Sequence, residues 1–130
     1  MNRLFTAALL ILTLTALLPA AEPNAEQFKY LSGLAQDMDH TTWGIAYEQP
    51  FSDAVARDLQ KALQGCTQRA VPPFEVNLIF VIDANGKVEH VFADPGSPIS
   101  ACVAAKLSGM RLPKPPKPDW MQLVNINIHG

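Results

Sequence analysis

Three histidines, His40, His90 and His129, are the first residues whose chemistry could matter. They show no ligand spacing, so they read as structural or surface residues and imply no metal. Ser97, Ser100 and Ser108 lack the flanking elbow motif of a nucleophilic serine, and Ser97 reads better as a helix cap. Asp83, Glu89 and Asp94 could supply a carboxylate pair. However, Asp83 belongs to a turn, and Asp94-Pro95-Gly96 forms the next one. No Gly-rich phosphate loop is present, so the residues imply no catalytic centre and no cofactor.

The two cysteines, Cys66 and Cys102, carry the clearest chemistry in the chain. They form no Cys-x-x-Cys or zinc pattern, and an even count suits a structural disulfide in an oxidising compartment. The N-terminus agrees with export. Arg3 is the only charge before Glu22, and an apolar run from Leu4 to Leu18 leads to Pro19, Ala20 and Ala21. A basic start, an apolar core and a small-residue exit describe a signal peptide over residues 1–21, cleaved after Ala20 or Ala21. An uncleaved anchor is the alternative reading, but the run has 15 residues where a spanning helix needs about 20. The mature chain is therefore expected to be soluble, with no membrane span.

What remains is long enough for one core. Without Arg3 it carries nine basic and twelve acidic residues, a balance that favours neither nucleic acid nor an anionic membrane as partner. Positioning elements follow from the apolar spacing. Residues 22–49 read as a helix over about 25–38, on Phe28, Leu31, Leu34, Ala35 and Met38, followed by an irregular segment holding Trp43 and Tyr47. From residue 50 to 130 the pattern is firmer. Ser52 is the expected N-cap of a helix whose stripe is Val55, Leu59, Ala62, Leu63 and Cys66. Glu75–Ile82 and Lys87–Ala93 alternate as two strands around Asp83-Ala84-Asn85-Gly86, a tight turn.

Ser97, Pro98 and Gly109 are the cap, first residue and stop of a third helix, with Ile99, Cys102 and Val103 on one stripe. Both cysteines thus face the core from helices that can pack side by side. A proline-rich crossover with Pro113, Pro115, Pro116 and Pro118 precedes a last strand over Met121–His129. There Val124, Ile126 and Ile128 face one way and Leu123, Asn125 and Asn127 the other. The expected fold is α+β in the order α-α-β-β-α-β, a small antiparallel three-stranded sheet with helices on one face.

Two features suit binding. Lys106, Arg111, Lys114 and Lys117 are cations with no intervening acid, although such a run is often only a solvated surface. The last strand would also leave an unpaired edge that can accept a partner strand.

Residues 75–128, and more loosely 50–128, resemble the C-terminal domain of TonB-type energy transducers. The resemblance rests on the hairpin with Asp83-Ala84-Asn85-Gly86-Lys87-Val88, the helix from Pro98 to Ser108, the crossover Met110-Arg111-Leu112-Pro113-Lys114-Pro115 and the strand Leu123–Ile128. Leu63-Gln64-Gly65-Cys66 and Ala101-Cys102-Val103 are similar to the paired-cysteine AgmX/PglI group of that family. This implies a bacterial periplasmic domain that binds another envelope protein by adding a strand to its last strand. The sites implied are Leu123, Asn125 and Asn127, with Arg111, Lys114 and Lys117 beside them. The chain departs from the transducers in having no long proline-rich spacer and in showing Pro72-Pro73-Phe74 where they favour Tyr-Pro. Energy transduction is therefore not expected. A different class of function is a small inhibitor or immunity-type protein acting through a loop, either Trp43–Gln49 or the 113–118 connector.

Overall fold

Each helix start is set by a side chain that satisfies free backbone N–H groups. The computed structural model describes residues 22–129 except Arg69, so the signal peptide expected over 1–21 lies outside the described residues. Helix α1 (Ala25–Asp39) opens with a reciprocal cap: the Gln27 N–H donates to Asn24 Oδ1 at 2.8 Å and the Asn24 N–H to Gln27 Oε1 at 2.9 Å. Helix α2 (Thr42–Cys66) starts at the Thr41 hydroxyl, which accepts from the Gly44 N–H at 3.0 Å.

The start of α2 corrects the sequence reading. Trp43–Tyr47, expected to be irregular, is helical, and Ser52, expected as the N-cap, lies inside the helix together with Pro50. An internal proline removes one backbone bond and costs about 3 kcal/mol. Burial offsets it, because Tyr47 and Phe51 extend the stripe of Val55 and Ala62 by four-residue steps, and all four are buried. Gly44 permits the sharp corner between α1 and α2: a Cβ there would overlap the Met38 carbonyl oxygen and the Asp39 backbone.

Strand β1 (Phe74–Ile82) is central, with β2 (Val88–Ala93) on one side and β3 (Trp120–Ile128) on the other, both antiparallel. Helix α3 (Pro98–Leu107) is capped by Ser97 with Pro98 in its first turn, as the sequence predicts. The α+β class, the element order and the three-stranded antiparallel sheet are as expected.

Alternation along β1 divides the apolar side chains between two layers. Val76, Leu78, Phe80 and Ile82 meet α2, α3 and Trp120 in the main core. There Phe51 lies edge-on to Phe80 at 5.3 Å and Tyr47 to Trp120 at 6.0 Å. Ile79 points the other way and meets Phe28 and Ala35 of α1, with Leu31, Phe92, Met121 and Leu123 around them. Helices α2 and α3 thus occupy the expected face, while α1 covers part of the face that strand alternation assigned to water. Cys66, ending α2, is bonded to Cys102 of α3 with the Cα atoms 5.8 Å apart.

Among the described residues no helix is long and apolar enough to cross a membrane.

Candidate functional site

The last strand is set up by the crossover that precedes it. Gly86, at φ +89°, sits so close to the crossover that a Cβ would overlap the Leu112 carbonyl oxygen. Only glycine meets both demands. The Leu112 N–H then donates to the Gly86 carbonyl at 2.7 Å, and the Val88 N–H to the Met110 carbonyl at 2.9 Å. The hairpin turn is braced from inside, since Asp83 Oδ1 accepts from the Asn85 and Lys87 N–H groups at 2.9 Å. Further on, the Tyr47 hydroxyl donates to the Pro113 carbonyl at 2.7 Å. Burial pushes the Tyr47 phenol up to about 12. The crossover is therefore a strap fixed at several points.

From there β3 pairs with β1 along its whole length, from Trp120 opposite Ile82 to Ile128 opposite Phe74. Its other side is a sheet edge, and α1 guards only the first part of it. The Met121 N–H donates to Met38 Sδ and the Leu123 N–H to Asp39 Oδ2, both at 3.4 Å. Strand alternation turns the N–H groups of Asn125 and Asn127 outward in the same direction. The Asn125 and Asn127 side chains are exposed on the α1 side of the sheet. They form a chain of amides: Asn127 Nδ2 donates to Asn125 Oδ1, Asn125 Nδ2 to Asn77 Oδ1, and Asn77 Nδ2 to Asp94 Oδ2.

The residues expected to act together are divided by this geometry. Leu123 is half-buried beneath α1 and its N–H is already committed to Asp39. Asn125 and Asn127 form the open part of the edge. Arg111 stands opposite Lys87, at the hairpin-turn end of the sheet. Asn127 stands opposite Glu75, at the other end, which places the two sites about 20 Å apart along the strands.

Arg111, Lys114 and Lys117 are all exposed. Of the three, Lys117 lies over an aromatic partner, its ammonium 4.5 Å from the centre of the Trp43 ring. Trp43–Gln49, expected as a loop, is the start of α2, and it meets the 113–118 connector through Trp43 with Lys117 and Tyr47 with Pro113.

The remaining polar residues have structural work. Ser100 is fully buried; its hydroxyl accepts from the Asn77 N–H at 3.0 Å and donates to Ser97 Oγ at 2.9 Å. The His90 ring lies against Phe92, 4.3 Å between ring centres and tilted by 54°, while His40 and His129 are exposed elsewhere. Among the described residues no group of three or more His, Cys, Asp or Glu side chains could hold a metal ion.

Sequence reasoning missed two features. One is Asp39, the residue that reaches the β3 edge; nothing in its own neighbourhood marks it, because the contact spans 84 positions. The other is a groove of about 310 Å³ between β2 and α3, lined by Val91, Ala93, Ala101, Ala104 and Ala105. Its signal was the run of small residues on one side of α3.

Comparison of the chain with protein-family models, curated proteins and solved structures finds no match.

Proposed function

We propose that the chain is an exported, periplasmic protein-binding module with a TonB-like domain, docking an extended segment of another envelope protein on β3. The observation that carries this reading is the edge at Asn125 and Asn127. The α1 acceptors serve the Met121 and Leu123 N–H groups, and the next two outward backbone positions lie past them, beside exposed amide side chains. An extended peptide gains affinity from such main-chain groups and specificity from the side chains between them. No catalytic step belongs to this reading.

The test is affinity capture from a bacterial periplasmic extract by the mature protein, read by mass spectrometry and compared with Asn125→Pro. Proline removes an outward N–H without breaking the β1 ladder. The variant is expected to keep its disulfide and near-ultraviolet dichroism while losing the captured protein. Unchanged capture by a folded variant counts against the edge.

A second reading draws on the Trp43–Lys117 contact, which makes the α2 start and the crossover one basic, aromatic surface suited to a loop-acting inhibitor. Loss of capture on Trp43→Ala together with Lys117→Glu, with Asn125→Pro unaffected, would select it.

A further inference from the structure

We propose that α1 is a displaceable strap over the β3 edge, latched by Asp39, and that its release extends the docking edge from Asn125 and Asn127 back to Met121. This concerns the control of the docking edge and rests on that reading of β3. The main core holds α2 and α3 against the sheet, and the disulfide ties them together. By contrast, α1 is held by a smaller cluster in which Phe28, Ala35 and Ile79 are buried, and it reaches the main core through the partly buried Met38. Elements with few buried apolar contacts open locally, at lower free energy than the whole fold.

The contacts of α1 with the edge are also poor ones. Thioether sulfur is a weak acceptor for the Met121 N–H. Asp39 uses Oδ2 for the Leu123 N–H, but its Oδ1 is buried without a hydrogen-bond partner. A buried acceptor left unpaired opposes docking. The joint that would let α1 swing is short, with His40 and Thr41 between the two helices.

The latch is sensitive to protons. Burial raises the Asp39 carboxyl from 3.8 to about 6; the Leu123 N–H opposes this, Glu48 adds to it and His40 opposes it. Glu48 of α2 and the adjacent His40 are the charged groups acting on it, while β3 presents the Leu123 amide. Because the docked carboxyl binds its proton more tightly than a released one, docking is strongest below pH 4 and weakens as pH rises through about 6. The group is only half-buried, so screening reduces the change in docking between pH 4.5 and 7 to on the order of tenfold.

Native-state hydrogen exchange of the mature protein tests this. With intrinsic rates divided out, the Met121 and Leu123 amides should open below the free energy of the β1 amides, and on the order of tenfold more often at pH 7 than at pH 4.5. Asp39→Asn keeps a carbonyl acceptor without the charge. It should raise protection of both amides at pH 7 and remove the pH dependence. Phe28→Ala should strip protection from these two amides while leaving β1 protected. The strap is overturned if Met121 and Leu123 exchange only with β1, or if Asp39→Asn keeps the wild-type pH dependence. No partner enters the measurement, so a fixed strap and a failed capture on β3 are separate results.

Discussion

At the scale of single residues, the crossover depends on what Gly86 lacks. Its backbone is left-handed, and the space a side chain needs is occupied by the Leu112 carbonyl. Gly86→Ala should therefore destabilise the fold by about 2–3 kcal/mol, combining αL strain with displacement of the crossover. Urea unfolding at constant slope would measure it. A loss below 1 kcal/mol would mean that the crossover moves away easily. The turn glycine was legible in the sequence, since Asp83-Ala84-Asn85-Gly86 calls for positive φ. The second constraint was not, because Leu112 comes 26 residues later and only the fold brings it there.

At the scale of elements, α2 shows how tertiary burial overrides a local signal. Pro50 and Ser52 looked like a helix start, yet the helix begins at Thr42. What the shorter helix would have lost is the layer formed by Tyr47, Phe51 and Trp120. The same extension brings Tyr47 to the crossover. Tyr47→Phe should leave the Pro113 carbonyl without its donor and cost about 1–2 kcal/mol while keeping the ring in place. A double-mutant comparison with Trp43→Ala would show whether the α2 start and the crossover act as one unit, because independent sites add and coupled ones do not. Additive losses would argue against a shared surface.

At the scale of the molecule, the helices are secured unequally: α2 and α3 are tied to each other by a covalent bond, and α1 is not. The Cys66–Cys102 bond closes a loop with a separation of 36 residues, and by the loop-entropy model contributes about 4 kcal/mol. A chain of this size has a total stability of roughly 5–15 kcal/mol. Reduction should thus lower the urea midpoint substantially, and Cys66→Ala with Cys102→Ala should reproduce that shift. A reduced protein of unchanged midpoint would show that helix packing alone carries the α2–α3 pair. Helix α1 has no such bond, which leaves it the element most able to move.

The sequence alone determined the strands, the hairpin turn, the third helix with its cap and stop, and the pairing of the cysteines. Each of these rests on neighbours within a few positions or on a single stripe, so local periodicity and chain chemistry suffice. Asn125 and Asn127 were legible as outward residues for the same reason. Only the tertiary structure decided that α1 lies on the second face of the sheet, that Leu123 is covered, and that the cations stand at the far end from the open edge. Those outcomes depend on which face of β1 each helix buries and on contacts such as Asp39 with Leu123. Residues so far apart in sequence meet because the sheet must cover Ile79 as well as Phe80, and no local pattern records how it does so.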